Sequence, residues 1–270
     1  MYEIYAIRYG HLDRTATHNF IGGDPHDAPM PLDYYVWAIV QESGVGDDGS
    51  GSARAWLLDT GYDAATGEAR GRQLVRPVEA GLAAIGLDAS AIRDVIVSHM
   101  HYDHIGNHEL FPAARYHVQD DEMSFCTGRA MCHAVMRAPF EARDVQSMVG
   151  KLYAGRVKFH DGEATLAPGL TLHKVGGHTR GLQVVRVQTR RGFVVLASDA
   201  AHFYANWLER RPFPIVDNVA AYLEAYDIIE GLASSPQHVI PGHDPLVLQR
   251  YPRAIPGVDD IARVDLPPVA

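Results

Sequence analysis

Cysteine is nearly missing from this chain: 270 residues contain only Cys126 and Cys132, six apart and without CxxC spacing. A disulfide framework and a thiolate zinc knuckle are therefore excluded, and a reducing, cytoplasmic setting is expected. Lysine is almost as scarce, with only Lys151, Lys158 and Lys174, and the longest basic runs are the pairs Arg190-Arg191 and Arg210-Arg211. The 24 basic side chains face 33 acidic ones, for a net charge of −9, so no clustered cation surface is offered to nucleic acid phosphates. No apolar run approaches 18 residues, so no membrane span is expected. The start, MYEIYAIRYGHLDR, alternates polar with apolar and lacks the basic and apolar regions of a signal peptide. Linkers rich in Pro, Gly or Ser, internal repeats and low-complexity tracts are also missing, and one domain over residues 1–270 is the simplest organisation.

What the chain has in excess is histidine, 15 against 13 Tyr, 8 Phe and 3 Trp. Runs of β-branched and aromatic residues predict strands at Tyr2–Tyr9, Tyr34–Gln41, Ala53–Asp59, Asp94–Ser98, Arg115–Gln119, Gly155–His160, Leu170–Val175, Gln183–Gln188, Gly192–Ser198 and Gln237–Ile240. Apolar residues at three- and four-residue steps predict helices over Gln73–Gly86 and Asn218–Ala233. Strands dominate both halves and each half carries a helix, the pattern of two sheets packed face to face with helices outside. Asp120–Ala154 interrupts that pattern with Met123, Phe125, Met131, Met136, Phe140 and Met148, either core packing or an adaptable lid.

The histidines concentrate in one place. After the apolar strand DVIVS comes HMHYDHIGN, with His99, His101, Asp103 and His104 inside six residues. Side chains two apart in extended chain share a face, so His99 and His101 can grip one ion, while Asp103 and His104 lie past the turn and can reach a second. Such density would be wasteful in a core, where each imidazole needs a partner. Three further donors follow singly at strand exits in glycine-bearing turns: His178 in GGHTRG, Asp199 in SDA and His243 in PGHD. Each alone reads as structural; as a series behind the first cluster they read as ligands.

The set HxHxDH, GGH, SDA and PGH, preceded by LDTG at Leu58–Gly61, resembles the metallo-β-lactamase-fold hydrolases from about Tyr34 to Asp244. The resemblance implies an α/β fold, a four-layer αββα sandwich, here with a helical insertion near 120–154. It also implies a dinuclear metal site: His99, His101 and His178 on one ion, Asp103, His104 and His243 on the other, Asp199 bridging, and Asp59 orienting ligands through hydrogen bonds. Five imidazoles and two carboxylates suit two Zn²⁺, with Fe, Mn or Co as alternatives.

Within the family, the Ser-Asp-Ala turn departs from β-lactamases with a cysteine ligand. The 27 residues after His243 are too few for the helical glutathione-binding domain of glyoxalase II-type thioesterases, and the acidic charge disfavours an RNA-processing nuclease. What remains resembles the lactonase branch, including quorum-quenching N-acyl-homoserine lactonases and 4-pyridoxolactonase. The expected reaction is opening of a small-molecule lactone by a metal-bridging hydroxide, with Asp103 relaying the proton; the family analogy also implies a homodimer. Alternatives are hydrolysis of a thioester or other ester or amide bond, or persulfide oxidation by a mononuclear-iron relative.

One departure is His202, where such lactonases often carry a Tyr three residues after the bridging acid. His202 can still donate to a carbonyl oxygen, and Tyr204 is a substitute of equal standing with simple packing. Asn19–Trp37 reads as a loop, either an arm on a neighbouring subunit or a pocket wall. Arg180 and Arg210-Arg211 could meet an anionic substrate, with solvated charge as the default. His11, His18, His26, His108, His117, His133, His160, His173 and His238 match no ligand position.

Overall fold

A computed structural model of the chain describes residues 1–42 and 54–269. The strands in chain order are β1 (Tyr2–Leu12), β2 (Leu32–Gln41), β3 (Ala55–Leu58), β4 (Gln73–Leu74), β5 (Asp94–Ile96), β6 (Arg115–Gln119), β7 (Val157–His160), β8 (Glu163–Ala167), β9 (Leu170–Lys174), β10 (Gln183–Thr189), β11 (Gly192–Ser198), β12 (Val239–Pro241) and β13 (Ile261–Arg263). Among the described residues one sheet runs β13-β1-β2-β3-β5-β6-β7, with β4 also on β1, and the other runs β12-β11-β10-β9-β8. Antiparallel pairing dominates, but β3, β5, β6 and β7 are parallel neighbours, as are β11 and β12. Two sheets accompanied by helices make the α/β architecture that the sequence resemblance implies.

Each layer is built from an elementary pattern. In β1 the burial alternates through Tyr2, Ile4 and Ala6, the period of a strand with one face on the core. β2 is buried along its first eight residues, as expected of a strand covered on both faces. The helix Val219–Leu232 buries Tyr222, Ala225, Tyr226 and Ile229, spaced three and four apart, and the Asn218 side chain accepts from the Ala221 N–H to cap its start. Trp37, Trp56 and Trp207, the three tryptophans, are all among the largest fully buried side chains. No helix among the described residues is long and apolar enough to cross a membrane.

The sheets are also joined by buried polar groups. Gln183, fully enclosed on β10, donates through its side chain to the carbonyls of Val97 and His117 at 2.7 and 3.0 Å and accepts from Gln119 at 2.9 Å. Its backbone N–H meets the Ser98 carbonyl at 3.0 Å. These bonds fix the exit of β5 against the second sheet, and every donor is satisfied.

Several expectations need correction. The helix expected over Gln73–Gly86 is only Val78–Ala84, because Pro77 cannot continue a helix backwards and disfavours helical backbone at Arg76. Gln73 and Leu74 instead pair with β1, and the Val75 N–H bonds Tyr9. The loop expected over Asn19–Trp37 ends earlier, since Leu32–Trp37 belongs to β2. Strands β4, β8 and β13 escaped the reading; they are short and part-polar, and are recruited by pairing. Ala53, expected to begin a strand, lies outside the described residues. Asp120–Ala154 is helical, with Asp120–Cys126, Ala134–Arg137 and Ala142–Tyr153 as its α-helices. Met123 and Met148 are buried in the core while Met136 borders a cavity, so the insertion contributes both to core packing and to a cavity wall.

Two glycines make a test of this packing. Gly177 has φ +86° and a Cβ there would lie 2.4 Å from the Tyr222 Cα, whereas Gly150 sits in a helix with nothing within 4 Å of that point. Urea denaturation should therefore show Gly177→Ala destabilising by about 2 kcal/mol or more and Gly150→Ala stabilising by about 1 kcal/mol. Equal effects would mean that the helix Val219–Leu232 does not press on the His178 turn.

Candidate metal centre

Donors arrive from five strand exits. Asp59 follows β3, His99 to His104 follow β5, His178 follows β9, Asp199 follows β11 and His243 follows β12. Ligands commonly sit beyond the carboxyl ends of parallel strands, and here two sheets present such ends to one point. The backbone is stitched around it: Thr60 N–H bonds the His104 carbonyl at 2.7 Å, His243 N–H bonds His202 at 2.9 Å and Asp33 N–H bonds His243 at 2.9 Å. Asp59 and Ser198 hold φ of 64° and 45°, left-handed backbone that non-glycine residues avoid and that recurs at functional sites.

The structure brings together all seven side chains singled out as ligands. His99, His101, His178 and Asp199 have potential ligand atoms within 4.8 Å of one another, and so do Asp103, His104 and His243. His202 joins Asp199 and His243 in a third such group, so it stands among the donors as well as beside the cavity. Tyr204 does not reach them; it begins the helix Tyr204–Leu208 and borders a separate cavity with Tyr251 and Arg250. Arg180 pairs with Asp217 at 3.2 Å, Arg210 with Asp227 at 2.6 Å and Arg211 with Asp24 at 2.7 Å; none borders the donor cavity.

Hydrogen bonds assign the imidazole tautomers. The Nδ1 of His178 faces the Ile215 carbonyl at 2.7 Å and that of His243 faces the Asp33 carbonyl at 2.9 Å. Carbonyls only accept, so these nitrogens carry the proton. His104 Nδ1 is held by Asp59 at 2.7 Å. Ser98 Oγ donates to Asp59 at 2.7 Å and so accepts from His99 Nδ1 at 3.0 Å. All four rings therefore turn Nε2 inward. His101 offers Nδ1 instead, 2.9 Å from Nε2 of His99 and 3.0 Å from Nε2 of His178. Nitrogens bound about 2.0–2.1 Å from one tetrahedral ion sit roughly 3.4 Å apart, so these rings converge closely enough to share a cation. Nε2 of His104 is buried with no hydrogen-bond partner, a donor whose complement would be a metal.

The electrostatics point the same way. Burial, then the neighbouring His104, hold the His99 pKa well below its ordinary value; burial and His178 do so for His101. At His104 burial is outweighed by Asp199, Asp103 and Asp59, which together hold the ring well above the usual range. His243 is raised in the same sense, Asp199 overcoming its burial. Burial works to raise Asp199, yet His202, His104, His243 and His178 around it leave it well below the carboxylate range. His202 itself is pushed down to about 3, chiefly by burial, and is neutral at pH 7. The cluster thus joins neutral imidazoles at His99, His101 and His202 to an ionised carboxylate, while at His104 and His243 it attracts positive charge, which a proton or a metal ion supplies.

Supporting groups that the sequence reading passed over surround these donors. Glu122, fully buried, accepts from Met100 N–H at 2.8 Å, Thr179 Oγ1 at 2.6 Å and Gly181 N–H at 3.1 Å, bracing the His99–His104 turn against the His178 turn. Tyr222 bonds the Asp199 carbonyl at 2.6 Å and the His202 Nδ1 at 3.1 Å. Nothing in spacing or periodicity marks these residues, because their partners lie on other elements. Over the donors opens a cavity of about 350 Å³, bordered by Tyr34, Phe125, Met136 and Phe213 and by Arg14, Arg70 and Arg72. His202 stacks on Phe213 at 3.7 Å.

Comparison with known proteins follows this geometry. Residues 50–243 match the metallo-beta-lactamase superfamily. An N-acyl homoserine lactonase, AiiB of Agrobacterium fabrum, is 30% identical over 127 residues, 46% of this chain and 45% of that protein. An N-acyl homoserine lactonase of Bacillus cereus is 25% identical over 164 residues, 59% of each chain. The chain thus spans about half the length of the curated relatives it matches. Among solved structures, a quorum-quenching N-acyl homoserine lactone lactonase superposes with TM-score 0.70 at 19% identity, over 90% of this chain and 92% of that one. AidC, described as a dizinc quorum-quenching lactonase in complex with its product, gives 0.67 at 17% over 90% and 88%. At these identities the structures establish a shared fold.

Asp59 does not line the donor cavity, so it separates orientation from ligation. Replacing it with Ala should weaken metal retention by about 10- to 100-fold in chelator competition, through loss of the His104 anchor. Unchanged retention would remove Asp59 from the centre.

Proposed function

This chain belongs to the metallo-β-lactamase superfamily, and from that premise we propose that it is a metal-dependent hydrolase that opens a lactone at a dinuclear centre. The observation that carries this reading is the pair of adjacent donor groups with Asp199 reaching both, as a member of the first and 3.3 and 2.9 Å from Nε2 of His104 and His243 in the second, beneath an open cavity. His99, His101 and His178 would hold one ion, Asp103, His104 and His243 the other, with Asp199 between. Zinc matches the nitrogen and oxygen donor set, and the dizinc description of AidC supports it. When bound, such ions lower the pKa of a water and polarise a carbonyl oxygen.

The chain's own residues do the rest. The cavity, of about 350 Å³, has room for a small molecule, whose binding would displace water and so strengthen the charge interactions around it. His202, neutral and buried, gives its Nδ1 proton to a hydrogen bond with the Tyr222 hydroxyl, which itself donates to the Asp199 carbonyl. Its bare Nε2, 3.0 Å from Oδ2 of Asp199, would therefore act as a further metal donor or proton acceptor rather than as the expected hydrogen-bond donor to a substrate carbonyl. Asp103 is the proton relay: its carbonyl is fixed by the Tyr9 hydroxyl at 2.6 Å, leaving the carboxylate near His104 at 3.6 Å and His243 at 3.9 Å. No serine or cysteine nucleophile is required, and buried Cys126 has its thiol pushed up to about 12 by burial, far from a reactive thiolate. Lactonase relatives and neighbours support a cyclic ester as the substrate class, with N-acyl homoserine lactones as its first members to try.

Metal analysis should find about two zinc ions per chain, and pH-indicator assays with aliphatic, aromatic and N-acyl homoserine lactones should record proton release. Asp199→Ala should lose most metal and lower kcat/KM by more than about 100-fold. A variant that keeps full metal and activity would end the bridging assignment; one iron per chain with no lactone turnover would point instead to the oxygenase chemistry of the fold.

A further inference from the structure

Three arginines border the cavity over the metal donors, and they differ in how their charge is met. Arg70 is neutralised, with Nε and a terminal nitrogen on Glu141 at 2.9 and 2.7 Å and its guanidinium 4.1 Å over the Tyr102 ring. Arg14 and Arg72 have no carboxylate oxygen within 4.0 Å among the described residues. Arg72 gives Nε to the Tyr102 hydroxyl at 3.0 Å and one terminal nitrogen to the Arg70 carbonyl at 2.7 Å. Arg14 bonds the His18 carbonyl and lies 5.1 Å over the Phe213 ring, while its Nε is buried without any partner. Both guanidinium groups are half-buried, so water screens them less than it would on an open face.

The rest of the cavity sharpens the point. Among the described residues its carboxylates are Asp103 and Asp199, both engaged among the metal donors. The opposite lining, including Phe125, Val135, Met136 and Ile215, is apolar. Two unneutralised, forked cations beside an apolar wall form a site for a flat anionic group, since a guanidinium presents paired N–H donors matched to carboxylate and phosphate oxygens. A neutral acyl chain would leave both charges uncompensated.

We propose that Arg14 and Arg72 select a substrate carrying an anionic group, a carboxylate or phosphate set beside its ester bond and held on the Tyr34–Tyr102 side of the cavity. The proposal rests on the lactone-hydrolase reading for its reaction, while the anion site itself is independent of it. Tyr34 stands 5.1 Å from His243, so the anion would sit nearest the Asp103, His104 and His243 group.

Two measurements on metal-replete protein separate the claims. Calorimetric titration with benzoate, phenyl phosphate and neutral benzamide should show one of the anions bound at least about tenfold more tightly than benzamide, the margin of one charge-assisted contact. Whichever anion wins identifies the group, and Arg14→Gln with Arg72→Gln should abolish the preference in protein of unchanged circular dichroism and metal content. In parallel, kcat/KM is compared for γ-butyrolactones bearing a carboxylate, a phosphomonoester or a carboxamide, with the ratio of anionic to neutral substrate expected to fall towards one in the double variant. Equal binding of all three probes, or an anion preference that survives in the double variant because the anion lies on the metal, overturns the proposal. Hydrolysis of all lactones without anion preference overturns it too and leaves the hydrolase reading standing. Arginine-dependent anion binding without turnover of any lactone sustains the anion site and ends the lactone-hydrolase reading.

Discussion

A buried carboxylate ringed by inward-turned imidazole nitrogens is the constraint on which this structure depends. Asp199 is enclosed, ionised and within 3.3 Å of Nε2 on His104, His178, His202 and His243. Such a group is costly to bury without compensating charge, and groups with lone pairs aimed at one another repel. The arrangement is therefore stable only where rigid surroundings hold it and a cation completes it. Nearly every polar feature of the interior serves the first requirement.

The holding is done in layers. Carbonyls of Asp33 and Ile215, the Asp59 carboxylate and the Ser98 hydroxyl each take an Nδ1 proton and so choose which face of a ring looks inward. Behind them Glu122 locks two turns together, and Gln183 locks the two sheets. The turns themselves accept left-handed backbone at Asp59 and Ser198, strain that the surrounding bonds offset. Chemistry is concentrated at one point because the sheets, each with parallel strands ending there, leave the donors little freedom to relax apart.

The cavity above adds what the donors cannot, discrimination. Its apolar lining comes largely from the helical insertion and the 213–216 segment, while its cationic side comes from residues 14, 70 and 72, remote in sequence. Metal chemistry of this kind is general for carbonyl compounds, so the choice of substrate falls to these two walls and to their unequal charge.

How much of this was legible beforehand depended on whether the signal was local. The strands Arg115–Gln119 and Gly192–Ser198 were readable to the residue because each gathers aromatic and β-branched residues between turn signals, and HMHYDHIGN was readable because its donors share one turn. His178, Asp199 and His243 were readable as a spaced series through resemblance to a family. Strand β4 and the late start of the helix Val78–Ala84 were not, since Pro77 and pairing with β1 overrode the apolar period. The sequence by itself determined the donor chemistry, the fold family and the acidic, cysteine-poor character that excludes other classes. Only the tertiary structure decided which nitrogen of each ring faces inward, that Glu122 and Gln183 brace the centre, and that Arg14 and Arg72 rather than Arg180, Arg210 or Arg211 border the cavity. Those outcomes depend on hydrogen bonds and ion pairs between residues tens to hundreds of positions apart, for which periodicity and spacing carry no local trace.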